Sequence, residues 1–317
     1  MTDTVLVTGA TGAIGSAVLR VLDDSGDDVR AFVRDGTALG SQHPDVEVVT
    51  GDILDPGAVA EAVAGVDSVV HCVNFPMGRY ERTLDAARTL VEAVGDERPH
   101  VVFPGNTWVF DPDAPAPITP ETPIAPPSRI ARIKAVVEQT LFASNLPVTV
   151  VHLPDFYGPD VRNDLVRPLF ERPLADRRVV FPALVDVPHE FVYVDDAARA
   201  LLAVAGEEVA QDRRYTVGST GSPTVREFVQ MVGAAVGTSG RAVGIPPWVV
   251  RVAALVSADA RAGRDLLHVL TRDVTMDGAA IRRDVGFEPS VSYANGIRRT
   301  VDWLRTETDD ESRPTTD

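Results

Sequence analysis

The feature that most constrains the fold of this chain is the segment TGATGAIG at residues 8–15. It lies between an apolar run at residues 4–7 and a helix-like stretch at residues 16–22, so its context is strand, glycine turn and helix. Glycines three residues apart let the backbone turn sharply, let a ligand approach the main chain and let the helix pack close to the strand. The segment therefore predicts a βαβ unit that begins almost at residue 1.

The N–H groups at the start of a helix that follows such a turn point toward an anion. The pyrophosphate of a dinucleotide is the expected anion, because this order of elements is typical of dinucleotide-binding domains. A glycine-rich turn without a ligand is the alternative. The residues that we assign to the cofactor in this segment are Gly9, Thr11, Gly12, Ala13, Ile14 and Gly15.

Composition narrows the class of protein. The chain has 317 residues, of which 44% are hydrophobic, and strand-like and helix-like patterns alternate, which favours an α/β fold with a second, smaller lobe. No apolar run is long enough to span a membrane, and the first strand follows without a leader, so we expect a cytoplasmic protein. Cys72 is the only cysteine and no Cys/His cluster has metal-ligand spacing, so we expect neither an internal disulfide nor a metal site.

The charge of the chain bears on its partners. A formal net charge of −16 disfavours nucleic acid and anionic membranes by repulsion, so we expect small-molecule partners. Among the 30 lysine and arginine residues, Lys134 is the only lysine. A GC-rich genome and a salt-loaded cytoplasm are both explanations for this acidic, arginine-rich composition.

The end of the second predicted strand, residues 29–33, bears on the choice of cofactor. The residue that closes this strand faces the adenosine ribose, and NAD-preferring sites usually have Asp or Glu there. Here Val33 closes the strand and Arg34 follows it, so neither position is acidic. A 2′-phosphate suits Arg34 better, so NADP is the predicted cofactor and NAD the second choice. The alternative is a solvated surface arginine held by Asp35.

Several later motifs match one known family in order and separation. They are PDFYGP at residues 154–159, FVYVDDAA at residues 191–198 and GFEP at residues 286–289. With the glycine turn they resemble the extended short-chain dehydrogenase/reductase family, and within it the NAD-dependent epimerase/dehydratase group. The resemblance implies a Rossmann-type doubly wound parallel sheet with a smaller C-terminal substrate lobe. It also implies a homodimer that pairs the helices following strands 4 and 5.

These patterns predict the organisation of the chain. Residues 1–155 form the dinucleotide-binding domain, and residues near 190–218 complete its sheet. Residues 156–305 form mainly the substrate lobe, covered by the apolar segment at residues 247–256, and residues 306–317 form a disordered acidic tail. The two aspartates at residues 195–196 are predicted to cap a helix over residues 197–205.

The resemblance implies further cofactor contacts at the ends of strands 3, 4 and 6. Asp52 corresponds to an aspartate that contacts the adenine amino group, and a turn-forming aspartate is the alternative. We assign Ile53, Cys72 and Pro154 to the same site. Lys134 matches the lysine that binds the nicotinamide ribose.

The catalytic positions depart from the family pattern. Its mechanism implies a Tyr-x-x-x-Lys pair and a Ser/Thr after strand 5, but the tyrosine position here is Ile130, which has no proton to give. Asn106 holds the Ser/Thr position, with Thr107 beside it. We therefore predict that the proton donor is not on the Lys134 helix. Tyr80 is the first choice for the donor, with Thr107 holding the substrate oxygen, and the alternative for Tyr80 is a packed interface aromatic.

Two functions of different classes follow. The first is an NAD(P)-dependent oxidoreductase or epimerase that acts on a hydroxyl or carbonyl group, such as that of a sugar derivative. The second is a nucleotide-binding sensor or regulatory protein that has the same fold but no catalytic activity.

Overall fold

The computed structural model describes residues 3–23, 25–37, 39, 43–95 and 97–311. Its eleven named strands, in chain order from β1 to β11, are Thr4–Thr8, Asp28–Val33, Glu47–Thr50, Ser68–His71, His100–Asn106, Val148–Leu153, Asp155–Tyr157, Val179–Phe181, Phe191–Tyr193, Arg213–Thr216 and Ala242–Gly244. The helices α1 to α11 are Ala13–Leu22, Pro56–Val63, Arg82–Ala93, Arg129–Phe142, Pro168–Leu174, Val194–Val204, Val225–Val236, Pro247–Ala253, Ala258–Leu270, Ala279–Val285 and Tyr293–Glu311. Short 3₁₀ turns are Met77–Arg79, Thr107–Val109 and Glu208–Ala210.

Seven strands form one parallel sheet in the order β10-β6-β5-β4-β1-β2-β3. The strand β1 pairs with β2 on one side and with β4 on the other, so the winding direction reverses between β1 and β4. In doubly wound sheets a crevice opens at such a reversal, beyond the carboxyl ends of the strands. The predicted Rossmann-type parallel sheet is confirmed, and the crevice is where the glycine turn ends.

Local sequence rules account for several boundaries. Asp55 caps α2 by accepting from the Gly57 N–H at 2.9 Å, with Pro56 at the first helical position. Thr224 and Glu227 form a reciprocal capping box at α7. The strand β6 is buried along its whole length, and β4 has only four residues, all of them buried.

The prediction that the two aspartates cap a helix is wrong. The helix α6 begins at Val194, before both of them, and its N-cap residue makes no side-chain bond. Asp195 instead pairs with Arg20 of α1 at 3.0 Å. The buried Asp196 accepts from the Val291 N–H at 2.8 Å and ties α6 to the segment before α11. Long-range pairing therefore outweighs the local capping preference here.

The smaller lobe has its own core, which includes Tyr157, Phe170 and Phe228. Two-stranded sheets, β8 with β11 and β7 with β9, lie outside the main sheet. The sheet is thus completed by β10 alone, and residues 191–193 pair with β7 instead of joining it as expected. No helix among the described residues has both the length and the apolar composition needed to cross a membrane.

Two expectations about the C-terminal third need correction. The helix α11 continues to Glu311, so residues 306–311 are helical and not disordered; residues 312–317 lie outside the described residues. The apolar segment at residues 247–256 covers the lobe only in part. Val250 and Ala254 are buried, but Leu255 is 76% exposed and Val256 89% exposed.

Candidate active site

A cavity of about 560 Å³ occupies the crevice at the carboxyl ends of the main sheet. Every predicted site residue except Gly15 lines it. These residues are Gly9, Thr11, Gly12, Ala13, Ile14, Arg34, Asp52, Ile53, Cys72, Tyr80, Asn106, Thr107, Lys134 and Pro154. The fold thus brings together residues that are far apart in the chain.

The three glycines have distinct roles in the turn. Gly9 has φ +69°, and a side chain there would come within 2.9 Å of the Cys72 backbone at the end of β4. Gly12 is the N-cap of α1 and lies on the cavity wall. Gly15 lies behind the wall, where a Cβ atom would overlap the Gly9 carbonyl oxygen. The geometry matches a cradle in which the backbone and the helix start approach an anion.

At the far end of the cavity, Arg34 is exposed and has no ion pair among the residues that the structure describes. Asp35 does not hold it, because the Asp35 carboxylate accepts from the N–H and the hydroxyl of Thr37 at 3.0 and 2.7 Å. Asp52 accepts from the Leu54 N–H at 3.0 Å, so it forms a turn and lines the cavity at the same time. Both alternatives weighed for Asp52 are therefore compatible with its geometry.

The end of β4 contributes a histidine and a thiol. His71 is fully buried, and its Nδ1 lies 2.8 Å from the Thr8 hydroxyl, as expected for a core histidine. Burial, reinforced by the positive charge of Lys134, lowers the pKa of His71 to about 3. Burial raises the pKa of the Cys72 thiol to about 12. At neutral pH both groups are uncharged, so neither is a reactive ion.

Lys134 is the most unusual cation of the site. It projects from α4, its residue is only 7% exposed, and its ammonium has no hydrogen-bond partner among the described residues. Its Nζ lies 4.6 Å from the centroid of the Phe103 ring of β5. Burial lowers the pKa of Lys134 to about 8, although the negative charge of Glu138 acts in the opposite direction. An ammonium without hydrogen bonds at a cavity wall is free to bind or protonate a ligand oxygen.

The end of β5 supplies the polar groups beside this lysine. The Asn106 side-chain oxygen accepts from the Trp108 N–H at 3.1 Å and caps a 3₁₀ turn, which leaves its amide nitrogen as a donor. Thr107 is buried on the cavity wall, and its hydroxyl has no protein partner within the described part of the chain. Thr107 is thus available to a ligand oxygen.

Tyr80 reaches the cavity but does not present its hydroxyl there. The residue is 1% exposed, packs against Trp108 with ring centroids 6.4 Å apart, and its hydroxyl has no partner among the described residues. Burial raises the pKa of Tyr80 above its ordinary value. The packed-aromatic alternative therefore describes this conformation better than an exposed donor does.

The sequence did not predict the row of buried polar side chains that lies behind Lys134. Glu138, one turn along α4, pairs with Arg214 of β10 and lies 3.7 Å from His152 Nε2. His152 Nδ1 donates to the Asn106 carbonyl oxygen at 3.1 Å. Burial alone would raise the pKa of Glu138, but His152 and Arg214 together hold it below its ordinary value. These contacts connect the lysine helix to the end of β5, where Asn106 lies.

The cavity wall also carries cations that sequence reasoning missed. Arg79 and Arg82 line it, together with Asn163 from the smaller lobe. The Arg82 guanidinium lies 5.4 Å from the Phe75 ring centroid. Neither arginine has an ion pair within the described ranges. Their positions follow from how the segment after β4 folds, which no local pattern predicts.

Comparisons with known proteins agree with this architecture. The chain is 26% identical to a ceramide reductase of Caulobacter vibrioides, with 95% of this chain and 94% of the relative covered. It is also 26% identical to a dTDP-glucose 4,6-dehydratase of Streptomyces griseus, with coverage of 96% and 94%. The crystal structure of dTDP-glucose 4,6-dehydratase from Bacillus anthracis in complex with NAD superposes with a TM-score of 0.79 at 18% identity, over 97% of this chain and 98% of that one.

A family model provides the identification. The model described as the NAD dependent epimerase/dehydratase family matches residues 5–218, which include the glycine turn, Lys134 and β10. The expected family resemblance is therefore confirmed. This protein belongs to the NAD-dependent epimerase/dehydratase family.

Proposed function

We propose that the protein is an NAD(P)-dependent oxidoreductase or epimerase that acts on a hydroxyl or carbonyl group of a sugar-derived substrate. The observation that carries the proposal is Lys134, a buried ammonium without hydrogen bonds on the wall of a cavity that also contains the glycine turn and Thr107. Because Lys134 lines the cavity and none of the described residues bonds its ammonium, the ammonium is left to water or to a ligand oxygen there. The arrangement is that of a site kept ready for a ligand.

The residues present fit a nicotinamide dinucleotide. The turn at Gly9 and Gly12 would hold the pyrophosphate, and Lys134 would hold the nicotinamide ribose. When bound, the cofactor supplies hydride transfer. We propose NADP as the preferred form, because Arg34 has no protein ion pair in the described ranges and would make charge-assisted contacts to a 2′-phosphate.

For the proton donor we favour Lys134 over Tyr80, which replaces the expectation that the donor lies outside the Lys134 helix, because the Tyr80 hydroxyl is buried away from the cavity. A reduction leaves negative charge on the substrate oxygen, and an ammonium with a pKa near 8 can donate to that oxygen at neutral pH. Thr107 would hold the same oxygen by a hydrogen bond. Tyr80 stays the second candidate, because its buried hydroxyl would have to move into the cavity first.

Substrate class is suggested by the relatives and by charge. The relatives act on a nucleotide sugar, dTDP-glucose, and on a ceramide, as their names state. Arg79 and Arg82, which line the cavity and have no ion pair with any residue that the structure describes, favour an anionic substrate. We therefore place a nucleotide sugar ahead of a neutral lipid ketone.

A second candidate function has its own support. Ile130 replaces the usual tyrosine, and the Tyr80 hydroxyl is shielded, so a nucleotide-binding sensor without turnover is compatible with the site. Fluorescence titration with NADPH and NADH, followed by steady-state oxidation with nucleotide-sugar and long-chain ketone substrates, separates the two. Tight dinucleotide binding with no turnover on any substrate would favour the sensor, and no dinucleotide binding would refute both.

We further propose a cytoplasmic homodimer formed through α3 and α4. Several apolar residues in or next to these helices, among them Tyr80, Val137 and Leu141, are buried within the chain itself. The exposed Val136 and the half-buried Leu84 are available to contact a second copy of the protein. Light scattering should give twice the monomer mass, and Val136→Asp should reduce it to that of a monomer.

A further inference from the structure

A second cavity, of about 510 Å³, lies between the start of α4 and the helices α8 and α9 of the smaller lobe. None of the described residues lines both this cavity and the one beside the glycine turn, which we call the dinucleotide cavity. The described lining of the second cavity consists of four arginines, one acid, three other polar residues and two apolar residues; the arginines are Arg129, Arg132, Arg251 and Arg264. In a chain with a net charge of −16, a concave surface with this many cations calls for a ligand.

The arginines are only partly neutralised by the protein. Arg129 pairs with Glu81, and Arg264 pairs with Asp265 at 3.2 Å. Arg132 and Arg251 have no ion pair within the ranges that the structure describes. Asp265 is the one carboxylate among the described lining residues, so these residues together carry a net positive charge.

We propose that this cavity binds the phosphate group of a small ligand through its arginine side chains. Guanidinium groups are planar, stay charged and match phosphate oxygens in pairs, which makes several converging arginines a phosphate site more readily than a site for one carboxylate. The proposal does not depend on the function assigned to the dinucleotide cavity.

Two sources of such a phosphate fit the surroundings. One is a soluble phosphorylated metabolite. The other is a lipid headgroup, because Trp248, one turn before Arg251 on α8, and Leu255, two residues past the end of α8, are both exposed apolar side chains. In that case the apolar side chains would contact the lipid tails while the cavity holds the headgroup.

The test uses inorganic pyrophosphate as probe, in isothermal titration calorimetry at low ionic strength with NADP⁺ present to fill the glycine cradle. We expect one site per chain, and weaker binding as salt rises. Substituting Arg132→Gln and Arg251→Gln together should weaken pyrophosphate about a hundredfold, at roughly tenfold per charged contact. Arg261→Gln, an exposed arginine of α9 outside the cavity, is the matched control and should change nothing.

Sedimentation with phosphatidylcholine vesicles, with and without phosphatidic acid, identifies the source. Binding that needs phosphatidic acid and is lost in both the arginine double variant and Trp248→Ser/Leu255→Ser indicates a lipid headgroup. Pyrophosphate binding without vesicle binding indicates a soluble phosphate. Binding to neither probe, or binding that survives the arginine substitutions, would overturn the proposal, whether or not NADP⁺ binds.

Discussion

Lys134 Nζ on α4 lies 4.6 Å from the centroid of the Phe103 ring on β5. The ring face partly compensates the buried charge, but a cation–π contact is worth about 2 kcal/mol at best and does not replace lost hydration. The protein therefore keeps a charge that its fold disfavours, at the point where a ligand would need it. Sites of this kind trade stability for function.

Lys134→Met tests whether the buried charge lowers stability while it supports activity. Removing the buried charge should raise the free energy of unfolding at neutral pH by about 1–3 kcal/mol while turnover falls at least a hundredfold. Urea titrations and steady-state rates measure the two effects, with Gln139→Met on the exposed side of α4 as control. A variant that is both destabilised and active would contradict the assignment.

The same residue gives a pH signature. The pKa of Lys134 is about 8 in the fold and 10.5 ordinarily, so between these values the unfolded chain binds more protons. Stability contributed through this group therefore rises with pH from about 8 to about 10.5, and the rise should be absent in Lys134→Met. Turnover that uses the ammonium should fall above a pH of about 8.

Arg34→Asp should reverse the cofactor preference. Loss of charge-assisted bonds to the 2′-phosphate should weaken NADPH by roughly tenfold to a hundredfold, while a carboxylate gains a bond from the NADH ribose. Fluorescence titration of both dinucleotides measures the change. The control is Arg298→Asp, at an exposed position of α11. Equal affinities before and after the substitution would remove Arg34 from the site.

Tyr80→Phe distinguishes the two proton donors. If Lys134 donates, removal of a buried hydroxyl without a partner should leave the rate within about threefold and stabilise the fold by about 1 kcal/mol. A loss of a hundredfold or more would identify Tyr80 as the donor. Ile130→Tyr is the complementary variant, since a large gain in rate would indicate a site that has lost its ordinary tyrosine.

Sequence reasoning succeeded where one segment determines its own structure. The glycine turn before α1 follows from residues that are neighbours in the chain, and so does the second strand, which was predicted over residues 29–33 and is formed by Asp28–Val33. It failed where distant segments meet. Glu138 and Arg214 are 76 residues apart, and their pairing depends on how β10 lies beside β6. The arginine cavity and the burial of the Tyr80 hydroxyl likewise depend on packing between elements that no local pattern encodes.

Gly15→Ala should distort the glycine turn, because Gly15 packs directly against the Gly9 backbone. The added methyl group would overlap the Gly9 carbonyl oxygen, so we expect a loss of about 1–3 kcal/mol in unfolding free energy together with weaker dinucleotide binding. Gly78→Ala, where a methyl group would meet open space, is the matched control. Equal stability of the two variants would show that α1 does not need this close approach to the turn.

The last prediction concerns a buried carboxyl outside both cavities. Glu190 is 4% exposed and accepts from the Met276 N–H at 2.8 Å and from the Ser222 hydroxyl at 3.1 Å, which joins the segment before β9 to those before α7 and α10. Burial, with the Asp273 charge acting in the same direction, raises the pKa of Glu190 to about 7 against those hydrogen bonds.

The sign of the effect follows from proton counting. Between the ordinary value of 4.5 and about 7 the folded chain binds more protons than the unfolded one, so the contribution of Glu190 to stability falls as pH rises through this window. Glu190→Gln should remove that fall and exceed the wild type by about 1–3 kcal/mol above pH 7, because an amide carries no charge to desolvate. Thermal unfolding across this pH range measures it, with the exposed Glu121→Gln as control. A Glu190→Gln variant less stable than the wild type above this window would mean that the carboxylate's hydrogen bonds outweigh its burial.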